Sequence, residues 1–209
     1  MAYNILSGDE IREAILKEAR RQFFEKGITK TQMKDIAKAV KIGRSTLYRY
    51  YQHKEQLAMA ITSGLIELIS GNAQKTISAR NLTGYEQLQL FCRQYVDNLK
   101  GNVKLLNYFS EFDRIFETTY PDFTDSESFV RIMKEHLMVI SEFIRCGIRD
   151  KSIASGSDPD LLSSVIVNII LGVAQRVLPR SKHIMEEHGY DGETIIVQSV
   201  ELILSGLKA

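Results

Sequence analysis

The stretch that decides the fold runs from Gln32 to Tyr51 and reads QMKDIAKAVKIGRSTLYRYY. Its first half carries apolar residues at helical spacing, which are Met33, Ile36, Ala37 and Val40. A tight turn is indicated around Gly43, and a second short helix begins near Arg44. Two short helices joined by such a turn form a helix-turn-helix, in which the second helix enters the major groove of DNA.

The second of these helices has one apolar and one polar face. Ile42, Leu47 and Tyr51 are spaced to face the preceding helices. The outward set is Arg44, Ser45, Tyr48 and Arg49, with Thr46 and Tyr50 on the flanks. Cations, hydroxyls and phenols suit phosphate oxygens and base edges. Arg44 is a candidate for a bidentate contact to guanine, which is worth about 1–3 kcal/mol of discrimination.

The charge distribution supports a nucleic-acid partner. The formal net charge of the chain is only +1, but residues 1–60 hold 12 basic and 7 acidic residues, a balance of +5. Such a basic excess on the segment whose shape suits DNA favours phosphate binding. Thr31, which we predict to cap the first helix of the motif, and Lys54 each stand near a helix start, where free N–H groups attract phosphate.

Several segments in this region are characteristic. They are Phe23-Phe24-Glu25-Lys26-Gly27, Asp35-Ile36-Ala37, Thr46-Leu47-Tyr48-Arg49-Tyr50-Tyr51, and Lys54-Glu55 with Leu57. Together they resemble the TetR family of transcriptional regulators over about residues 9–69. The resemblance implies an N-terminal DNA-binding domain and a helical C-terminal domain for ligand binding and dimerisation. It also implies a repressor that leaves a palindromic operator when a small molecule binds.

The resemblance assigns DNA-contacting positions residue by residue. They are Thr31, Arg44, Ser45, Thr46, Tyr48, Arg49, Tyr50 and Lys54, while Leu47 and Tyr51 occupy core positions. The family often has a small residue where Lys41 stands and a serine where Gly43 stands. We expect Lys41 to add a phosphate contact, and Gly43 to serve as an N-cap without a side chain.

The rest of the chain is also helical in pattern, so the expected fold is all-α with about nine helices. Capping-box patterns at Ser7 with Glu10 and at Thr83 with Glu86 mark two helix starts, and Asp158 before Pro159 marks a third. We place a helix-turn-helix DNA-binding domain at residues 1–52, with the motif at about 32–51. A helical ligand-binding and dimerisation domain is expected at residues 53–209.

The middle helices hold most of the aromatic residues. The candidate ligand-binding residues are Phe91, Tyr95, Tyr108, Phe109, Phe112, Phe116, Phe129, Met133 and His136. An apolar pocket with a few polar groups is how small-molecule sites are built, although the same residues also suit plain core packing. The last two helices carry wide apolar stripes, which the resemblance interprets as a homodimer interface.

Other classes of protein are less favoured. The sequence holds no GxSxG, HExxH, Walker or dinucleotide motif, so we predict neither an enzyme nor a cofactor. His183, Glu187 and His188 have metal-ligand spacing, but a polar connection is preferred and no metal site is expected. Cys92 and Cys146 are expected to be reduced thiols. The open alternative is a helix-turn-helix protein whose effector is a protein partner and not a small molecule.

The expected localisation rests on the start of the chain and on its most apolar run. The start of the chain lacks the pattern of a signal peptide, and the most apolar run, Val165 to Ala174, is too short to span a bilayer. We therefore expect a cytoplasmic protein with no membrane partner, whose partners are operator DNA, a small-molecule effector of unknown identity and a second copy of the chain.

Overall fold

The fold is all-α, as the sequence predicts. A computed structural model describes residues 7–78, 81–122, 124–156 and 158–209. Ten helices follow in chain order: α1 Gly8–Lys26, α2 Met33–Val40, α3 Arg44–Tyr50, α4 Lys54–Ser78, α5 Gly84–Leu99, α6 Val103–Ile115, α7 Thr124–Arg149, α8 Pro159–Val177, α9 Ser181–His188 and α10 Gly192–Leu207. In the described ranges the β-type pairing is an isolated bridge between Ile153 and Lys208.

The helix that the sequence prediction missed is α9. Its eight residues were expected to form a polar connection, but Ile184 is buried and anchors them as a helix. Gly189 ends α9 with a φ of 76°, a left-handed conformation in which glycine has no Cβ penalty. One buried apolar residue in eight is too weak a periodic signal to separate a short helix from a loop.

Most helix starts agree with the predicted caps. Ser7 with Glu10 and Thr83 with Glu86 form complete capping boxes, in which each hydroxyl and each glutamate accepts a backbone N–H. Asp158 accepts the N–H groups of Asp160 and Leu161 at the start of α8.

The predicted N-cap at Thr31 is wrong. Gln32 occupies the cap of α2 without a side-chain bond, and the Thr31 hydroxyl instead donates to the carbonyl of Gly27 at 2.7 Å. The physical reason is that Thr31 belongs to the preceding turn, where a buried hydroxyl needs an acceptor.

The chain forms two compact units. The first comprises Met1–Gly64 and Asn107–Val130, and the second comprises Leu65–Leu106 and Arg131–Ala209. In the first unit, α1 and α3 contribute Ile15, Phe23 and Leu47 to a fully buried core. The predicted domain boundary after residue 52 concerns function and stays a prediction.

The second unit depends on a close approach of two helices. A Cβ atom at Gly84, the first residue of α5, would lie 1.9 Å from the backbone nitrogen of Gly147 in α7. Only glycine fits there, because real Cβ atoms do not approach backbone so closely. The Asp150 carboxylate accepts the N–H of Gly84 at 2.8 Å and so ties the start of α5 to the end of α7.

Helix α8 is longer than the apolar run in the sequence suggested. Its 19 residues from Pro159 to Val177 extend beyond the run Val165–Ala174 at both ends, and they are long and apolar enough to cross a membrane by length and composition alone. The core helix of a protein that spans no membrane passes the same test. Ile166, Ile170 and Ala174 of α8 are fully buried inside the second unit, where α8 contacts α10.

Candidate nucleic-acid interface and effector cleft

Helix α3 is held in place by its apolar face. Leu47 is fully buried and Tyr51 is 2% exposed, so the predicted core positions are confirmed. Gly43 is the N-cap of α3 in extended conformation without a side-chain bond, and its carbonyl accepts the N–H of Leu47 at 3.1 Å. Seven residues are too few for a stable isolated helix, so α3 depends on this packing.

The opposite face of α3 presents the predicted DNA-contacting side chains. Arg44, Ser45, Tyr48 and Arg49 are exposed, and Thr46 and Tyr50 are partly exposed. Tyr48 shows 47% of its surface, which is high for a large ring. Among the described residues, the side chains of Arg44, Ser45 and Tyr48 have no hydrogen-bond or ion-pair partner. Their polar groups are therefore available to an outside ligand.

Lys41 adds an exposed cation at the turn of the motif. Its backbone lies in the left-handed region, with φ 60° and ψ 39°, as the C-cap of α2. A small residue or glycine is favoured in this conformation because a side chain strains it. The departure from the family pattern at position 41 thus costs local stability, and it adds a positive charge beside α3.

Thr31 lies in the turn between α1 and α2, and Lys54, at the start of α4, contacts this turn with its side chain. Thr31 is 2% exposed. The Lys54 ammonium donates to the carbonyl oxygens of Thr29 at 2.8 Å and Thr31 at 3.2 Å. Both side chains therefore organise the backbone of this turn, and their predicted contacts with DNA stay predictions.

Arg12 is a residue of this face that the sequence reasoning missed. Its guanidinium carbon lies 5.8 Å from the ring centre of Tyr50 and 5.7 Å from that of Tyr51, and Arg49 lies 5.8 Å from Tyr50. Two cations thus flank one phenol. The periodic pattern placed Arg12 on α1 without showing that α1 passes beside the end of α3.

The candidate ligand-binding residues divide between the two units. Tyr108, Phe109, Phe112, Phe116 and Phe129 belong to the first unit, and Phe91, Tyr95, Met133 and His136 to the second. In the first unit, Phe112 contacts Phe116 with ring centres 4.6 Å apart and Phe129 at 5.4 Å. Tyr108, which contacts Phe109 and Phe112, donates its buried hydroxyl to the carbonyl of Ala58 at 2.8 Å.

In the second unit, two of the candidates, Phe91 and Tyr95, lie beside a third, His136. The imidazole lies 6.0 Å from the ring of Phe91 and 6.4 Å from that of Tyr95, and its Nδ1 shares a hydrogen bond with the hydroxyl of Ser70. His136 is 4% exposed, and burial lowers its pKa to about 4. Met133 is half-buried.

A cleft opens beside these rings, between α4 and α5. It has a volume of about 220 Å³ and is lined by Ile69, Asn72, Phe91, Gln94, Tyr95, Asp97 and Asn98. The lining combines aromatic and apolar surface with amides and one carboxylate, as small-molecule sites do. Its volume is below the roughly 300–1,000 Å³ of typical ligand sites. A ligand larger than a few atoms would therefore have to widen it.

The remaining candidates for chemistry lie apart. His183, Glu187 and His188 are exposed on and at the end of α9, and in the described ranges no group of three metal-ligating side chains comes together. Cys92 and Cys146 are free. Cys92 is buried, and burial raises the pKa of its thiol to about 12, which disfavours the reactive thiolate.

Comparison with known proteins identifies the class to which this fold belongs. Residues 15–61 match the family described as "Bacterial regulatory proteins, tetR family". The HTH-type transcriptional repressor KstR2 of Mycolicibacterium smegmatis is 21% identical over 151 residues, which are 72% of this chain and 71% of that protein. The chain is therefore similar to helix-turn-helix transcriptional regulators.

Solved structures show the same fold over nearly the whole chain. FadR of Bacillus subtilis in complex with stearoyl-CoA has a TM-score of 0.67 at 20% identity, with 94% of this chain and 99% of that chain covered. FadR of Thermus thermophilus in complex with lauroyl-CoA has a TM-score of 0.65 at 18% identity, with 95% of each chain covered. The resemblance to the TetR family that the motifs predict is confirmed over residues 15–61.

The buried His136 predicts how stability depends on pH. Its pKa is about 4 in the folded chain and about 6.5 in the unfolded chain, so the unfolded state takes up a proton first as the pH falls. The free energy of unfolding is therefore unaffected by this group above pH 6.5 and decreases between pH 6.5 and pH 4. We expect a loss of up to about 3 kcal/mol over this window, measurable by urea unfolding at several pH values.

Replacement of the imidazole shows how much of this pH dependence of the free energy of unfolding comes from His136. His136→Gln should flatten the pH dependence between pH 6.5 and 5, where few carboxylates titrate. His183→Gln, at an exposed histidine of α9, should leave the slope as in wild type. Equal slopes for wild type and His136→Gln would show that the imidazole is not kept neutral by burial.

Proposed function

We propose that the chain is a transcriptional repressor that binds a palindromic operator as a homodimer and leaves it when a small molecule binds the second unit. The observation that carries the DNA-binding part is the unpartnered set Arg44, Ser45 and Tyr48 on the exposed face of α3. Buried Leu47 presents this set on a fixed helix. A preformed row of cations, hydroxyls and phenols is suited to the major groove.

Substitution on α3 tests DNA binding. In a gel-shift titration with the duplex that flanks its own gene, Arg44→Ala should weaken binding about 5- to 150-fold, the equivalent of about 1–3 kcal/mol. Adding Tyr48→Phe should weaken it further, because the hydroxyl is removed and the ring is kept. Affinity should fall steeply with salt, since phosphate contacts release counterions.

The control removes the same charge elsewhere. Arg131 is exposed on α7, where it pairs with Glu135 at 2.8 Å, and Arg131→Ala should leave DNA affinity unchanged. Equal losses for Arg131→Ala and Arg44→Ala would mean that net charge alone governs binding. Wild-type protein that binds no duplex at low salt would refute the proposal.

The effector is proposed to enter the cleft beside Phe91 and Tyr95 and to be an acyl-CoA thioester. Two proteins of the same fold are in complex with stearoyl-CoA and lauroyl-CoA. The apolar and aromatic side of the cleft suits an acyl chain, and the amides of Asn72, Gln94 and Asn98 suit the polar part of the ligand. Widening of the 220 Å³ cleft by the ligand would shift the helices that line it.

Thermal unfolding with long-chain acyl-CoA tests this ligand class. A ligand at a hundredfold excess over its Kd adds about 2.7 kcal/mol, so Tm should rise by about 5–10 °C, and the ligand should release the operator duplex. Gln94→Trp fills the cleft and should abolish both effects. Gln89→Trp, on the same helix but outside the cleft, should keep them. No shift with wild type would exclude acyl-CoA as the effector.

The dimer interface is proposed to lie on α8 and α10, which pack on each other in the second unit. Leu161, Val165 and Ile169 recur every four residues on α8 and are 62%, 39% and 37% exposed, while Leu202 of α10 is 73% exposed. Aligned apolar side chains on two adjacent helices favour a partner surface. A two-fold copy of the same pair would cover them as a four-helix bundle.

A charge at the centre of this surface tests the dimer. Light scattering after gel filtration should give wild type twice the 23.8 kDa mass of one chain. The double variant Ile169→Glu, Leu202→Glu should have the mass of a single chain, because burying two unpaired charges is unfavourable. Met138→Glu, at a residue of α7 that is 63% exposed, should remain dimeric. A dimer that survives both charges would place the interface elsewhere.

A further inference from the structure

The backbone of the α1–α2 turn, residues 27–31, is hydrogen-bonded by two side chains of opposite charge. The Glu111 carboxylate of α6 accepts the N–H of Ile28 at 2.7 Å and the N–H of Thr29 at 2.9 Å. The Lys54 ammonium of α4 donates to the carbonyls of Thr29 and Thr31. Charge-assisted hydrogen bonds of this kind are about twice as strong as neutral ones.

Gly27 allows the carboxylate to come this close. A Cβ atom at position 27 would lie 2.7 Å from Glu111 Oε2, and the φ of 88° disfavours any other residue. The Glu111 side chain is only 15% exposed. Burial alone would raise its pKa, but the hydrogen bonds from Thr29 and Ile28 more than offset burial and hold the pKa below its ordinary value.

Helix α6 is well placed to move this turn. It begins at Val103 in the second unit and continues from Asn107 in the first. One turn before Glu111, Tyr108 fixes α6 inside the first unit through its bond to Ala58 and through its ring, which lies 5.1 Å from that of Phe24. Because Glu111 is part of the same helix, any shift of α6 along its axis would carry the Glu111 carboxylate with it.

The turn in turn sets the position of the DNA-reading helices. It connects α1 directly to α2, and α2 packs on α3. Lys54, whose ammonium group donates to two carbonyl oxygens of the turn, is the first residue of α4. The backbone of residues 27–31 is thus the place where α6, α4 and the helix-turn-helix are joined by hydrogen bonds.

We propose that Glu111 is a positioning residue for operator binding, which couples α6 to the helix-turn-helix through the two N–H groups of the α1–α2 turn. The role rests on the proposed function, since it acts on the DNA affinity of α3. When α6 keeps the carboxylate on the turn, α2 and α3 stay in the DNA-binding arrangement. When α6 withdraws it, the part-buried N–H of Ile28 and the exposed N–H of Thr29 lose their acceptor and the turn loosens.

Operator titration of folded variants is the first test. At a temperature where circular dichroism shows every variant to be folded, Glu111→Ala should raise the operator Kd about tenfold, and Glu111→Gln, which keeps one acceptor oxygen, should raise it less. Glu127→Gln neutralises an exposed carboxylate of α7 that has no partner among the described residues, and it should bind as wild type does.

Amide hydrogen exchange separates coupling from plain stability. In the free protein, exchange at Ile28 and Thr29 should speed up in Glu111→Ala. Operator binding should slow exchange across α6 residues 107–115 in wild type and in Glu127→Gln but not in Glu111→Ala, because coupling is reciprocal. A lower Tm by itself would not produce this difference.

Two results would overturn the proposal. One is a Glu111→Ala variant that has a lower Tm but an operator Kd within twofold of wild type, which would make Glu111 a stabilising residue only. The other is protection of α6 by operator that persists in Glu111→Ala. If wild type itself binds no operator, the proposed function fails first, and the wild-type titration shows that failure separately.

Discussion

Burial of Leu47 is the interaction on which the rest of the molecule depends for its proposed function. Helix α3 has seven residues and would not persist alone in water. With Leu47 fully buried and Tyr51 nearly so, the helix has one orientation, and its exposed face follows from that orientation. The positions of the exposed residues Arg44 and Tyr48 are therefore set by the buried residues of α3, although their own side chains lie outside the core.

The helix-turn-helix could be predicted from sequence because its signals are local. Apolar spacing, a glycine at the turn and a capping box each act over three or four residues, and the structure agrees with them at Ser7 and Gly43. Thr31 was misassigned because a threonine before a helix suits both a cap and the preceding turn. Only the carbonyl of Gly27, whose backbone has a φ of 88°, decides between them.

Contacts between distant segments could not be predicted. Nine aromatic and neighbouring residues formed one candidate set, but Tyr108 and Phe112 pack within the first unit while Phe91 and His136 pack within the second. Helical periodicity says which face is apolar and not which helix covers it. For the same reason the role of Glu111 could not be predicted, since its partners, Ile28 and Thr29, lie more than 80 residues earlier in the chain.

Selection of duplexes from a random pool tests operator recognition most directly, because it needs no knowledge of the regulated genes or of the effector. The wild-type chain should enrich an inverted repeat whose two half-sites lie about one helical turn apart, with two chains bound per duplex. Arg44→Ala should enrich a different or weaker half-site. A pool that shows no common sequence after repeated rounds, at a salt concentration where wild type still binds DNA, would contradict a sequence-specific repressor.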